Sequence, residues 1–214
     1  WMHHPEKSIG VICSGGTVAN ITALWVARNR LLKAKGDFLG VHQEGLHRAL
    51  EFYGYTGAVV LVSERGHYSL SKAIDLLGIG RCNLIAIETD VNHRIRLDLL
   101  CEKIQQLKAQ GKAILSIVGV AGSSETGSVD PLDALADIAE KEGCHYHIDA
   151  AWGGPTLFSE KYKHLLRGID RADSVTIDAH KQLYVPMGAG AVVFRLPDMM
   201  DSIEHHAEYI IRKG

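Results

Sequence analysis

The stretch DSVTIDAHKQLYVP, residues 173–186, joins a strand-like run that ends at Asp178 to a histidine and a lysine, His180 and Lys181. A lysine just after a strand is ordinarily a solvated charge that marks a turn. Position alone therefore assigns Lys181 no special role. The run itself is one of several short β-branched segments that alternate with helical ones, and this alternation decides the fold.

Apolar residues recur at helical spacing in four segments, and the β-branched runs fall between them. The pattern predicts helices over residues 17–35, 69–77, 97–110 and 131–143, and strands over residues 58–63, 83–88, 113–119, 145–149, 173–178 and 190–195. Asp130 is predicted to cap the fourth helix, with Pro131 as its first residue and Gly143 as its end. Such alternation predicts an α/β fold: a mainly parallel sheet with helices on both faces.

Composition limits the classes of partner. The chain has 214 residues, 46% of them hydrophobic, and a net charge of -2 with scattered Lys and Arg, so we expect no nucleic acid and no anionic membrane as partner. Four widely spaced cysteines favour reduced thiols and a cytoplasmic location. Both ends read as interior segments, the last one, residues 209–214, within or just after a helical pattern, so we expect a fragment.

Ligands of such sheets collect at the carboxyl ends of the strands. Ser14-Gly15-Gly16-Thr17 immediately precedes the first predicted helix. Free backbone N–H groups, close approach at the glycines and the hydroxyls suit a phosphate there, although a plain N-cap turn explains the residues equally well. The spacing differs from that of a Walker P-loop.

Two further strand ends carry candidate side chains. In His145-Tyr-His-Ile-Asp149, alternation places both histidines and Asp149 on one face, which superficially resembles a metal site. A simpler interpretation makes only Asp149 special, as a carboxylate that holds a positive charge in a ligand. In Gly66-His67-Tyr68-Ser69, His67 is a candidate aromatic platform, and an N-capping loop is the alternative.

These features together describe a ligand with a phosphate, an aromatic ring with a protonatable nitrogen, and a carbonyl for a lysine to attack. Pyridoxal phosphate has all three. With SGGTVAN, GHYSLSKA, VAGSSETGSVDPL, HIDAAWGG and DAHKQLYVP in register, the chain resembles the group II pyridoxal-phosphate-dependent amino-acid decarboxylases, above all bacterial glutamate and aspartate 1-decarboxylases. The resemblance implies that residues 1–214 are the cofactor-binding large domain of a fold-type I, aspartate-aminotransferase-like enzyme.

The resemblance also implies roles for the catalytic residues. Lys181 would form a Schiff base with the cofactor, and Asp149 would pair with its pyridinium nitrogen. His67 would stack on one face of the ring, and Ala151 would pack on the other face. His145 and His147 then become structural residues, and no metal is expected.

Further residues are implied to hold the cofactor. Gly16 and Thr17 would bind its phosphate, with Ser14 nearby. Ser123 stands where many relatives carry Thr and would bond either the ring oxygen or the substrate carboxylate. His180 would contact the phosphate or the region around Lys181.

The implied reaction is decarboxylation of an L-amino acid, with glutamate or aspartate favoured, by a homodimer. Decarboxylases of aromatic amino acids or cysteine sulfinate, and another fold-type I lyase or aminotransferase, are the alternatives. A non-catalytic interaction module is a further one, although Lys181, Asp149 and His67 are intact. In the family, the proton donor lies on a loop further toward the C-terminus, so no residue here is assigned that role.

Overall fold

The computed structural model describes residues 5–205. Within them, seven strands form one sheet in the order β1-β7-β6-β5-β4-β2-β3. The strands are β1 Ile9–Cys13, β2 Gly57–Ser63, β3 Leu84–Ile87, β4 Lys112–Val120, β5 His145–Asp149, β6 Ser174–Asp178 and β7 Gly190–Phe194. The helices are α1 Gly16–Leu31, α2 Val41–Tyr53, α3 Ser69–Leu76, α4 Leu97–Ala109 and α5 Leu132–Glu142.

The sheet is mainly parallel, as predicted. Among the described strands, β7 runs antiparallel to both of its neighbours, β1 and β6, whereas β2, β3, β4, β5 and β6 pair in parallel. Parallel pairing aligns the carboxyl ends of β4, β5 and β6, where Val120 lies beside Asp149 and Asp149 beside Thr176. The side chains that follow β4, β5 and β6 therefore lie close together at the carboxyl ends of these strands.

Helices cover both faces, which confirms the predicted class. Val59 and Leu61 of β2 face one way, into a core that includes residues of α4 and α5. Val60 and Val62 face the other way, into a core with Leu24 of α1 and residues of α3. Burial on both faces explains why all seven residues of β2 are buried and why the strand reads as a continuous apolar run.

The N-terminal part of the fold departs from the prediction. Helix α1 ends at Leu31 rather than at residue 35, because the chain turns back through a bridge between Lys35 and Phe38. Neither α2 nor β1 was predicted. Helix α2 contains Gly45 with φ of 80°, which interrupts its helical pattern, and β1 is a short strand with two exposed residues, two half-buried residues and one buried residue.

The predicted capping role of Asp130 is wrong. Helix α5 begins at Leu132, and Pro131 occupies the capping position. The buried Asp130 carboxylate instead accepts hydrogen bonds from the backbone N–H groups of Ile95 (2.8 Å) and Val120 (2.9 Å). Asp130 thus ties the end of β4 to the loop before α4. The predicted helix end is confirmed, because Gly143 adopts the left-handed conformation there.

The two ends of the chain lie outside the described residues. They include the first four residues and residues 209–214, for which a helical pattern is predicted. Among the described helices, none combines the length and apolarity needed to cross a bilayer. All four cysteines lie within the described residues and are free thiols.

Candidate active site

A cavity of about 320 Å³ opens at the carboxyl ends of β4, β5 and β6 and at the N-terminus of α1. This volume is within the usual range for small-molecule sites. Its lining includes every residue that the resemblance assigns to the catalytic or cofactor site: Ser14, Gly16, Thr17, His67, Ser123, Asp149, Ala151, His180 and Lys181. Residues that lie up to 167 positions apart in the sequence are thus brought to one place.

The N-terminus of α1 is an open donor site. Gly15, at φ of 142°, precedes the helix, and in the described part of the chain no side chain caps it. This finding argues against the plain N-cap turn as the reason for Ser14 and Thr17. The ring of His180 packs close to Gly15, since a Cβ added there would lie 3.3 Å from its Cε1 atom. Free N–H groups and the helix dipole make this end suited to an anion.

Asp149 is a buried carboxylate at the end of β5. One oxygen, Oδ2, accepts a hydrogen bond from the Asn20 amide at 2.9 Å, and Oδ1 accepts one from the backbone N–H of Ala151 at 3.2 Å. The side chain lines the cavity and is 6% exposed. A carboxylate fixed in this way can hold a positive charge in a ligand.

Lys181 lies in the turn that follows β6. Its Nζ atom is 3.2 Å from Oδ2 of Asp178, the last residue of that strand. Asp178 is 2% exposed, and its Oδ1 atom has no hydrogen-bond partner among the described residues. The amine of Lys181 is therefore held at the cavity wall by an ion pair whose carboxylate is buried.

His67 lies in the loop between β2 and α3, in tilted contact with Tyr68 at 4.1 Å between ring centroids. Its Nδ1 atom is 2.8 Å from the Ser69 hydroxyl. Burial lowers the pKa of His67 below its ordinary value, although the nearby Asp149 opposes this shift. The residue before α3 is Tyr68, whose side chain forms no capping bond, but the backbone N–H of Ser69, the first residue of the helix, donates to His67 Nδ1 at 3.3 Å. A capping role for this loop therefore exists beside the proposed aromatic platform.

Ser123 lies in the loop after β4 and is buried. Its hydroxyl contacts the hydroxyls of Thr126 (2.7 Å) and Ser128 (2.9 Å). The Ser123 hydroxyl is therefore already part of a small cluster in the loop that lines the cavity.

The ring nitrogens of the two histidines of β5 contact uncharged hydroxyl and amide groups. His145 and His147 both lie 2.8 Å from the Ser174 hydroxyl, and Nε2 of His147 is 3.0 Å from the Asn20 carbonyl oxygen. Burial lowers the pKa of each to about 4. No group of three or more His, Cys, Asp or Glu residues in positions 5–205 has an arrangement that could hold a metal.

Two buried polar residues of the site were missed from the sequence. Asp178 stood in the quoted stretch, three positions before Lys181, and was read only as the end of a strand. Asn20 belonged to the SGGTVAN motif, and its signal was a polar side chain on the buried, mostly apolar side of α1. Both are almost fully buried, at 2% and 1% exposure.

This set of donors and acceptors fits pyridoxal phosphate. An uncapped helix N-terminus suits the phosphate, a buried carboxylate suits the protonated ring nitrogen, and a primary amine suits the aldehyde. Each group lines the same cavity.

Comparison with known proteins agrees with this fit. The family model described as the pyridoxal-dependent decarboxylase conserved domain matches residues 2–213. Aspartate 1-decarboxylase of Aliivibrio fischeri is 64% identical over all of this chain and 39% of its own length. Aromatic-L-amino-acid decarboxylase of Bacillus atrophaeus is 36% identical over 89% of this chain and 36% of its own.

Solved structures share the fold. Mouse CSAD in its apo form aligns with a TM-score of 0.85 and 29% identity, over 97% of this chain and 41% of that one. The glutamate decarboxylase domain of a Vibrio parahaemolyticus protein aligns with a TM-score of 0.84 and 29% identity, over 92% and 42%. This likeness confirms the expected fold-type I architecture, and the chain spans about two fifths of these relatives. The chain belongs to the pyridoxal-dependent decarboxylase family.

Proposed function

We propose that the protein carrying this chain removes the α-carboxylate of an acidic L-amino acid with pyridoxal phosphate, and that aspartate, which yields β-alanine, is preferred over glutamate. The observation that carries the proposal is the meeting of the Lys181 amine, the Asp149 carboxylate and the N-terminus of α1 in one cavity. The preference for aspartate is supported by the aspartate 1-decarboxylase that is 64% identical to the chain.

When bound, pyridoxal phosphate supplies an electron-accepting ring conjugated to a carbon that an amine can attack. We assign its phosphate to the backbone N–H groups of Gly16 and Thr17, with the Ser14 hydroxyl nearby. His180 packs close to Gly15 at the same end of the cavity, where its Nδ1–H donates to the Ala189 carbonyl at 2.8 Å. The helix N-terminus, its two backbone N–H groups and the Ser14 hydroxyl would together offset the phosphate charge.

Asp149 is assigned to hold a proton on the ring nitrogen. Two hydrogen bonds orient its carboxylate, and its burial strengthens its attraction for a positive charge. His67 and Ala151, both in the lining, are assigned to the two faces of the ring. The small side chain of Ala151 leaves room for close contact on its side.

Lys181 is assigned as the amine that would bind the cofactor's aldehyde and that the substrate amine would replace. Its Nζ atom lies 3.2 Å from Asp178 Oδ2, so Asp178 would hold this amine in place. Ser123, in the same lining, is assigned to the cofactor's ring oxygen or to the substrate carboxylate.

We also propose that the protein is a cytoplasmic homodimer. Large apolar side chains are exposed, among them Trp152 and Met187 of the cavity lining and also Phe158 and Tyr184, and a second subunit would cover them. The four free thiols suit a reducing compartment. Sedimentation of the purified natural protein at micromolar concentration tests the dimer, and a monomer at all concentrations would contradict it.

A substrate panel tests the proposed activity. The whole natural protein with pyridoxal phosphate is offered L-aspartate, L-glutamate, cysteine sulfinate and aromatic amino acids, and each amine and the carbon dioxide are measured. We expect β-alanine from aspartate at the highest kcat/KM. Amine formed only from an aromatic substrate would overturn the preference, keto-acid products would indicate an aminotransferase, and no turnover with any substrate would favour a non-catalytic module.

A further inference from the structure

Asn20 contacts three side chains of β5 and α3 from one buried position on α1. Its amide nitrogen is 2.9 Å from Asp149 Oδ2 and 2.9 Å from the Ser69 hydroxyl, and its carbonyl oxygen is 3.0 Å from His147 Nε2. The side chain is 1% exposed, so these contacts replace water as its hydrogen-bond partners.

The direction of every hydrogen bond in this network follows from the charge of Asp149. A carboxylate only accepts, so the Asn20 group that faces it must be the amide nitrogen. The Asn20 carbonyl then faces His147 and accepts the proton of its Nε2 atom. Because burial keeps His147 neutral, its Nδ1 atom must accept, and the Ser174 hydroxyl at 2.8 Å donates to it.

The second N–H of the Asn20 amide determines, through Ser69, which ring nitrogen of His67 carries the proton. It donates to the Ser69 hydroxyl, so the Ser69 proton is free to point at His67 Nδ1, which is 2.8 Å away. Nδ1 of His67 also faces the Ser69 backbone N–H at 3.3 Å. Two donors directed at Nδ1 make it the acceptor and place the ring proton of His67 on Nε2.

We propose that Asn20 is a positioning residue that fixes, through one amide group, both the orientation of the Asp149 carboxylate and the ring state of His67. This inference rests on the proposed roles of Asp149 and His67. The buried Asn20 side chain thereby orients both Asp149, assigned to the cofactor's ring nitrogen, and His67, assigned to one face of the cofactor ring.

The test compares two buried asparagines of the same helix in the whole natural protein. Asn20→Ala removes the network, whereas Asn29→Ala is the matched control: Asn29 is 3% exposed and donates to the Ser202 carbonyl at 2.8 Å, outside the cavity lining. The measurements are thermal unfolding, the Kd of pyridoxal phosphate, and the ¹⁵N resonance of the ring nitrogen in ¹⁵N-labelled cofactor.

We expect both variants to lose stability, because each leaves buried polar groups without a partner. Only Asn20→Ala should weaken cofactor binding, by about 10- to 100-fold, the usual effect of a lost hydrogen bond to a charged group. Only this variant should also move the ring ¹⁵N resonance toward that of an unprotonated pyridine. Equal Kd values and equal resonances in the two variants would overturn the proposal.

Two further variants keep the result decisive. Asn20→Ser retains one hydroxyl, which can donate to a single acceptor, so it should give an intermediate shift if the alanine variant does not fold. Asp149→Asn distinguishes a failure of the role proposed for Asp149 from a failure of the role proposed for Asn20. A resonance unmoved in Asp149→Asn overturns the proposed role of Asp149 and this inference with it, whereas a shift there without one in the Asn20 variants overturns this inference alone.

Discussion

Gly16→Ala is expected to disturb the site by a steric route. Gly16 is the first residue of α1, and a Cβ added there would lie 2.7 Å from Asp178 Oδ2, about 0.7 Å short of ordinary contact. Asp178 cannot simply move aside, because a Cβ added at Gly190 would meet its Oδ1 atom at 2.6 Å. The buried carboxylate is enclosed by two glycine backbones, so the added methyl group must displace either the carboxylate or the helix end.

The size of the effect follows from two opposing terms. Replacing Gly by Ala restricts the unfolded chain, which stabilises a protein by about 0.4–1 kcal/mol when the native conformation tolerates the change. Overpacking a tight site costs about 1–3 kcal/mol. The net loss for Gly16→Ala should therefore be about 1–2 kcal/mol, which lowers the Tm of a domain of this size by roughly 2–8 °C.

A second glycine offers a matched control. A Cβ added at Gly57 would also lie 2.7 Å from its neighbour, but that neighbour is the Nζ atom at the far end of the flexible Lys112 side chain. Gly57→Ala should therefore keep the entropic gain with little clash. The difference in unfolding free energy between the two variants isolates the contact with Asp178.

Urea unfolding of both variants, followed by titration with pyridoxal phosphate, gives the measurement. We expect Gly16→Ala to be the less stable variant and to bind the cofactor more weakly, because Asp178 contacts Lys181 and Gly16 is assigned to the phosphate. Equal stability and equal cofactor affinity for the two variants would refute the argument that Asp178 is enclosed.

Three further outcomes are expected. Lys181→Ala should abolish both the visible absorbance of lysine-bound cofactor and turnover; a variant that keeps both would remove Lys181 from the site. Asp149→Asn should retain some cofactor but lower kcat by at least about 100-fold, since a neutral amide stabilises the ring proton less well; near-normal turnover would make Asp149 merely structural. Burial lowers the pKa of His145 and of His147 from 6.5 to about 4, so the unfolded chain binds protons that the folded one does not, and stability should fall as the pH drops from 6.5 toward 4. Burial also raises the pKa of Asp130 to about 6, so protonation of Asp130 below that pH stabilises the folded chain and opposes the effect of the histidines. Histidine side-chain NMR is therefore the decisive measurement, and titration of both rings near pH 6.5 would contradict the lowered histidine pKa values.

The sequence predicted the parallel core of the fold because its strands are buried on both faces. β2 reads as a continuous apolar run and β5 ends in a carboxylate, and both fell within a residue of their predicted bounds. Their carboxyl ends must meet at one edge, so the sequence alone groups Asp149, His67 and Lys181. Strand β1 was missed although IGVIC is an apolar run, because it is only five residues long and lies at the edge of the sheet, antiparallel to β7 and outside the alternation of parallel strands and helices.

The parts of the site that the sequence did not predict depend on side-chain partners. Asp130 has the sequence features of an N-cap, yet its carboxylate serves two backbone N–H groups of other segments, one of them 35 positions away. Asp178 ends its strand as predicted, but its ion pair with Lys181, three positions later, was not anticipated. Propensity describes neighbours along the chain, whereas the contacts of Asp130 are set by packing between distant segments.

The missed polar residues are nevertheless connected to the one that was found. A buried carboxylate such as Asp149 needs donors, and water cannot supply them at 6% exposure. The nearest donors must come from elements packed against the end of β5, and α1 is one of them because its N-terminus was already assigned to the same cavity. On α1, Asn20 is a buried polar residue one turn beyond Gly16. The need of the buried Asp149 carboxylate for a donor thus accounts for Asn20, and the remaining groups of the Asn20 amide account for Ser69 and His147.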